Sequence, residues 1–300
     1  MIYTVTLNPA VDREVSVPSI AFNSVLRATE SRVDCGGKGF NVSRMVAQLG
    51  GESVALGFVG GRSGQFLQDQ LALRGIATDF VWVDEETRTN VSIVTDDGRY
   101  VKVNEKGALI SAEKQQTFIN KVDSLAKSGD WWVLAGSLPP NVPPNFYQQL
   151  TTLLNQAGAN VILDASGEPL RFGCAASPYL IKPNHIEAQQ ITNTDDLPAA
   201  AQSLQQMGVQ NIVISRGEHG ALLFEANQSR SIPAPEIIER NPIGAGDAMV
   251  GGLVWGLQQG LSLYESTRWG MACGSVAASL DGTAFGQRAD IEAMLSQIAH

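Results

Sequence analysis

Two hydrophobic rhythms alternate along the chain. Short apolar, β-branched runs predict buried strands, and stretches with apolar residues every three or four positions predict helices. Residues 1–7 are apolar and break at Asn8-Pro9, which predicts a strand ending in a loop. Residues 38–50 carry helical spacing at Val42, Met45, Val46 and Leu49 and stop at Gly50-Gly51. "SVALGFVGG" predicts the next strand and residues 65–74 the next helix. In "NVSIVTDDGRYVKV" two β-rich runs flank Asp97-Gly98, a hairpin signal. From Ser111 the order settles. Helices over 111–128 and 143–157 lead to the strands "WWVLAG" and "NVILDA". "PYLIKPN", a helix from about 185, another over 196–208 and the strand "NIVISRG" follow. A second hairpin, "GALLFEANQSRSI", precedes a glycine-rich turn and helices over 247–259, 262–280 and 289–298.

Strands alternating with helices imply right-handed crossovers and a mostly parallel sheet covered on both faces, an α/β fold. With no repeat, low-complexity tract or linker in 300 residues, one domain spanning 1–300 is expected. A small β excursion is expected to combine roughly 12–35 with 80–106, both polar and rich in turns.

Charge and composition narrow the chemistry. A net charge of −9 argues against a nucleic-acid or acidic-membrane partner, and it means that a phosphate ligand would need local lysines and arginines. Cys35, Cys174 and Cys273 are odd in number and far apart, so neither a disulfide framework nor a C-x-x-C zinc site is expected. His185, His219 and His300 offer no pair at metal-ligand spacing. The start, "MIYTVTLNPAVDREV", does not read as a signal peptide, and no 18-residue apolar span is present; a soluble, cytoplasmic protein is expected.

The nucleotide-binding and nucleophile-elbow motifs of other folds are missing. No stretch fits G-x-x-x-x-G-K-[ST] or G-x-S-x-G, and the best G-x-G-x-x-G candidate fails at Met249. What remains is a set of loop-to-helix junctions. In "NPIGAGDAMVGG", Gly244, Ala245 and Gly246 leave backbone N–H groups open to an anion at a helix start. Asp247 beside them is either a helix cap or a base suited to deprotonating an alcohol that attacks a held phosphate. "DCGGKGFNVSR" is a second glycine-rich turn, with Lys38 and Asn41 on the first helical turn; it is either a plain loop-to-helix junction or a ligand cradle. Asp12, just past the first strand, is a turn residue or a holder of sugar hydroxyls. Arg88 in "ETRTNV" is solvated or a phosphate fork. In "KPNHIE", Asn184 and Glu187 form a capping box or hold water around Mg²⁺, with Lys182 nearby.

Taken together these stretches resemble the ribokinase-like (PfkB) carbohydrate kinases. "GGKGFNVSR" and "GAGDAMVGG" resemble the two family signatures. "TLNPAVD", "TRTNV", "GSLPPN", "LDASGEPL", "LIKPNHIE" and "SRGEHGALLF" resemble the hexose-phosphate branch. That branch contains 1-phosphofructokinases, tagatose-6-phosphate kinases and a minor type of 6-phosphofructokinase.

The resemblance implies a three-layer α/β/α sandwich with a small β-sheet lid that often also forms a dimer contact, so a homodimer through the lid is expected. It implies ATP and Mg²⁺. Asp247 would be the general base, with Gly244, Ala245 and Gly246 as the anion hole. Asp12, Gly37, Asn41 and Ser137 would line the sugar site, and Lys38, Arg88 and Arg27 would face its phosphate. Lys182 and Asn184 would serve the ATP phosphates, and Ser215, Gly217 and Gly220 would lie near the nucleotide. Glu187, Asn184 and Asp164 are the candidates for Mg²⁺. The expected reaction is phosphorylation of fructose 1-phosphate to fructose 1,6-bisphosphate. The alternatives are tagatose 6-phosphate or fructose 6-phosphate as acceptor, or a non-catalytic sugar-phosphate sensor on the same fold. Lys38 leans toward the first two acceptors, because the 6-phosphofructokinase type typically carries glycine there.

Overall fold

The computed structural model describes residues 1–226, 228–282 and 284–298. In chain order the strands are β1 (Ile2–Thr6), β2 (Ala10–Val17), β3 (Glu30–Gly36), β4 (Ser53–Gly60), β5 (Ala77–Thr78), β6 (Val81–Val83), β7 (Thr89–Thr95), β8 (Tyr100–Asn104), β9 (Trp131–Ala135), β10 (Asn160–Asp164), β11 (Leu180–Ile181), β12 (Asn211–Ser215), β13 (Ala221–Glu225) and β14 (Gln228–Ile232). The helices are α1 (Lys38–Gln48), α2 (Gly61–Ala72), α3 (Ala112–Leu125), α4 (Phe146–Gln156), α5 (Gly167–Cys174), α6 (His185–Thr192), α7 (Leu197–Gln206), α8 (Ala245–Gln258), α9 (Leu263–Ala278) and α10 (Arg288–Leu295). The tip of the second hairpin, at Asn227, and His300 lie outside the described residues.

The main sheet runs β14-β13-β12-β11-β10-β9-β1-β4-β5, with β6 also pairing with β4. All its pairings from β12 to β6 are parallel; only the β12–β13–β14 end is antiparallel. Its central strands are buried on both faces, which explains why they read as unbroken apolar runs. On β9, Trp132 and Leu134 enter one core while Val133 and Ala135 enter the other, and Ile212, Val213 and Ile214 of β12 alternate likewise. The first core is closed by Phe118 of α3, Phe146 and Leu150 of α4, and Leu204 of α7. The second is closed by α1, α8, α9 and α10. The result is helices on both sides of a mostly parallel sheet, as expected. A third, smaller core joins Leu67 and Leu71 of α2 to Phe40, Val11 and Cys35. Each core holds one free cysteine: Cys174 in the first, Cys273 in the second, Cys35 in the third. Burial pushes all three thiols up, Cys35 and Cys174 to about 12.

Helix α8 is buried from Asp247 to Leu257 because neighbours press on both sides of it. A Cβ on Gly251 would meet Met45 of α1, and one on Gly252 would lie 2.8 Å from the Trp269 carbonyl oxygen of α9. The small residues of "MVGGLVWG" are therefore the clearance for two flanking helices. Helix α2 starts at Gly61 rather than near Gln65, because the Glu86 carboxylate accepts from Arg62 N (3.2 Å) and Ser63 N (2.5 Å).

A separate four-stranded sheet has the order β3-β2-β7-β8, with β2–β7 parallel and the outer pairs antiparallel. It is assembled from both polar stretches singled out in the sequence, although 81–83 pair with β4 of the main sheet instead. Its root is tied down by Asn8, whose Nδ2 donates to Lys106 O (3.2 Å), Ser137 Oγ and Leu138 O (both 3.4 Å). Among the described residues no helix is long and apolar enough to cross a membrane.

Phe118 packs against Phe58 and Phe146 at the centre of the first core. Phe118→Ala is expected to lower unfolding free energy by ~3–5 kcal/mol in urea titrations, the range for truncating a buried aromatic.

Candidate active site

The strands of the parallel sheet end where β1, β10, β11 and β12 deliver Asn8, Asp164, Lys182 and Ser215, the edge at which open α/β sheets bind ligands. Two helices start at this edge. Helix α1 begins after Gly37, and α8 after Gly244, which sits in the left-handed region at φ 84° and turns the chain into the helix without a side-chain cap. The cap position is thus Gly244, and Asp247 is the third helical residue. Its Oδ2 accepts from Asn41 Nδ2 at 2.9 Å, so the capping alternative for Asp247 does not hold.

Four charged side chains converge here. Asp164, 2 % exposed, lies between two lysines: Lys38 Nζ is 3.5 Å from both its carboxylate oxygens, and Lys182 Nζ is 3.7 Å from Oδ1. Asp164 holds Lys38 as a cation and raises its pKa, with Asp247 and Glu187 adding to the effect against the penalty of burial. Burial, then repulsion from Asp164, raises the Asp247 carboxyl to about 6; Lys38, the Asn41 hydrogen bond and Lys182 oppose that rise. Lys182 also stands over the first turn of α8: a Cβ on Gly246 would lie 3.5 Å from its Nζ.

The first turn of α8 has a cavity on one side and α1 on the other. On one side Ala245 and Gly246 line a cavity of about 770 Å³, together with Ser215, Gly217 and Gly220 at the β12–β13 turn, Met249, and Met271, Gly274, Ser275 and Ala278 of α9. The irregular stretch from Ala234 to Pro242 supplies Pro235, Ile237 and Glu239 to the same wall. The volume is that of a small-molecule site. On the other side Asp247 faces Asn41 and Lys38 of α1.

Asp12 lies within β2 of the small sheet rather than in a turn, and Asn90 Nδ2 of β7 donates to its Oδ1 at 2.8 Å. Arg88 sits at the root of that sheet, donating from Nε to Pro9 O (3.3 Å), from Nη1 to Glu105 O (2.8 Å) and from Nη2 to Asn8 O (3.0 Å). Ser137 accepts from Asn8, and Arg27 lies in the exposed connection between β2 and β3, apart from the others. Asn184 and Glu187 form the capping box of α6: Asn184 N donates to Glu187 Oε2 (2.9 Å) and Glu187 N to Asn184 Oδ1 (2.8 Å).

Three features escape a reading of the sequence. The wall of residues 234–242 is irregular and carries no motif. The α9 residues that line the cavity read only as core. Arg44, which donates from Nη1 to Asn41 Oδ1 at 3.1 Å, had a signal in the N-x-x-R spacing, which places both residues on one helix face.

A buried carboxylate on the first turn of a helix, two lysines and an adjoining cavity thus lie together at this sheet edge, although the Ala245 N–H expected in an anion hole donates to Pro242 O at 3.2 Å. Residues 5–290 match the pfkB family of carbohydrate kinases, and the chain belongs to that family. It is 35 % identical over 305 residues to a 1-phosphofructokinase of Bacillus subtilis, covering 99 % of this chain and 97 % of that one. It is 33 % identical over 306 residues to a D-tagatose-1-phosphate kinase of Bacillus licheniformis, covering all of both chains. Among solved structures, phosphofructokinase-2 from Escherichia coli in complex with potassium superposes with a TM-score of 0.93 at 31 % identity, covering 98 % of each chain.

With Asp247 as the general base, its carboxyl raised to about 6 would give a pH dependence. Only its ionised form accepts a proton, so kcat/KM is expected to fall as pH drops through about 6. Asp247→Asn should remove this acid limb and lower kcat by ~10²–10⁴ while ATP still binds; a pH–rate profile with a nucleotide titration checks both.

Proposed function

We propose that this kinase transfers the γ-phosphoryl group of ATP to the free primary hydroxyl of fructose 1-phosphate, giving fructose 1,6-bisphosphate and ADP. The observation that carries the proposal is the placing of Asp247 between the amide turn of α8 and the cation Lys38. The cavity side receives a nucleotide, the α1 side an alcohol that already bears a phosphate. Full-length similarity to 1-phosphofructokinases supports the same substrate.

In this proposal the triphosphate lies in the 770 Å³ cavity, with Ser215, Gly217 and Gly220 near the nucleotide and its terminal phosphate at the amides of Gly244 and Gly246, the Ala245 amide being held by Pro242 O. The sugar lies under the small sheet, held by Asp12, Gly37, Asn41 and Ser137. Its hydroxyl oxygen attacks the γ-phosphorus in line as the bond to the bridging oxygen of ADP breaks, and the hydroxyl proton passes to Asp247. Lys182 and the amides hold the charge spread over the transferring oxygens. Lys38 and Arg88 take the phosphate already on the sugar. A guanidinium has five N–H donors, so Arg88 has the capacity to bind a phosphate beside its three carbonyls.

Among the described residues no three His, Cys, Asp or Glu side chains converge as a metal cluster. The cleft instead offers two carboxylates, Asp164 and Glu187, both acting on Lys38. That donor set suits Mg²⁺ held chiefly by phosphates and water, with Asn184 reaching it through water; the ion would neutralise phosphate charge.

The relative that acts on D-tagatose 1-phosphate makes a tagatose phosphate the second candidate acceptor. A kcat/KM panel of fructose 1-phosphate, tagatose 1-phosphate, tagatose 6-phosphate, fructose 6-phosphate and free fructose ranks them, with fructose 1-phosphate expected first. Lys38→Met should raise KM for the sugar phosphate ~10–150-fold, the worth of a charge-assisted contact. Equal use of free fructose would reject the proposal.

The small sheet carries the second part of the proposal, a homodimer. Val101 (47 % exposed) and Val103 (59 %) of β8, Val33 of β3 and Phe22 and Val25 of the β2–β3 connection leave apolar side chains uncovered on this one element. A second copy would cover them, close the lid and complete the surroundings of Arg27. Val101→Lys with Val103→Lys is expected to shift the mass in sedimentation equilibrium from dimer to monomer.

A further inference from the structure

Arg44 has no part in the reaction described above. It lies on α1 one turn after Asn41, is 7 % exposed, and stands among the buried Phe40, Val42, Met45 and Val46. A guanidinium held so far from water requires bonded donors. Its Nη1 donates to Cys35 O at 3.4 Å and to Asn41 Oδ1 at 3.1 Å, and its plane lies 4.6 Å from the Phe285 ring centre.

The bond to Asn41 reaches the reacting group. A carboxamide has an acceptor end and a donor end, and the two exchange on a flip. With Arg44 donating to Oδ1, Nδ2 faces away and donates to Asp247 Oδ2 at 2.9 Å. Flipped, the amide would set N–H against guanidinium and oxygen against carboxylate, repulsive at both ends. The geometry points to Arg44 as a positioning residue for the catalytic carboxylate: it locks the Asn41 carboxamide in the orientation that donates to Asp247. The proposal depends on Asp247 acting as the general base.

Asn41 donates to the ionised carboxylate, so losing this bond makes Asp247 harder to ionise. The other charged groups facing Asp247 are Lys38 of α1, Asp164 at the end of β10 and Lys182 after β11. The titratable groups facing Arg44 are the buried Cys35 thiol and Asp34 of β3, Asp12 of β2 and Arg74 after α2. None of them touches the Asn41 amide in Arg44's place.

The test compares Arg44→Met, Arg44→Lys, Asn41→Ala, the double variant Asn41→Ala/Arg44→Met, and Asp247→Asn by pH–rate profile. Arg44→Met is expected to lower kcat about 10-fold or more and move the acid limb to higher pH, with KM for ATP unchanged. Arg44→Lys, which keeps charge and donors, should restore most of both. In the Asn41→Ala background, Arg44→Met should change neither quantity further. If Arg44→Met does not fold by circular dichroism, Arg44→Gln, with one donor retained, takes its place under the same criteria. An acid limb at the wild-type position in the Arg44 variant, or an additional shift in the double variant, overturns the proposal. A limb that persists in Asp247→Asn would instead overturn the assignment of the base.

Discussion

Two carboxylates share one nearly dry pocket, and the rest of the site depends on how their charge is balanced. Asp164 repels the charge on Asp247, and burial works against the ionised form of Asp247. Lys38 and Lys182 flank Asp164 directly, while they and the Asn41 hydrogen bond only partly offset the rise that burial and Asp164 cause in the Asp247 carboxyl. In the proposed reaction the same lysines would serve a chain of net charge −9 in another way, by placing positive charge where phosphates enter. The two roles are one arrangement: the cations that quiet Asp164 are those that would meet incoming phosphates.

The fold was legible because the two larger cores follow simple periods. Alternation along β9 and β12 and the three-to-four spacing on α1 each map onto a buried face. Boundaries slipped where a distant residue does the capping, as Glu86 does for α2. The order β9-β1-β4 could not be read locally, since β1 pairs with strands about 50 and 130 positions onward through contacts that no window of sequence contains.

The site was legible in part for a different reason. Loop-to-helix junctions rich in glycine carry a local signature, so Asp247, Lys38 and Asn41 stood out. Several of the bland alternatives turned out not to compete with the functional ones. Asn184 and Glu187 do form a capping box, and the box fixes a carboxylate beside the lysines. Asp247, by contrast, is not a cap at all, because Gly244 holds that position. Arg44 stayed hidden since its value lies in the direction of an amide, a property of three side chains together. The irregular wall from Ala234 to Pro242 had no periodicity to betray it.

The three cysteines, one in each core, make the protein a natural reporter of its own breathing. A thiol that burial keeps protonated reacts with an alkylating reagent only after its surroundings open. Labelling at Cys174 would time exposure beneath α3–α7, labelling at Cys273 the opposite layer, and labelling at Cys35 the seam where the small sheet meets the body of the molecule. Three clocks in one chain would tell whether the layers loosen together or in turn.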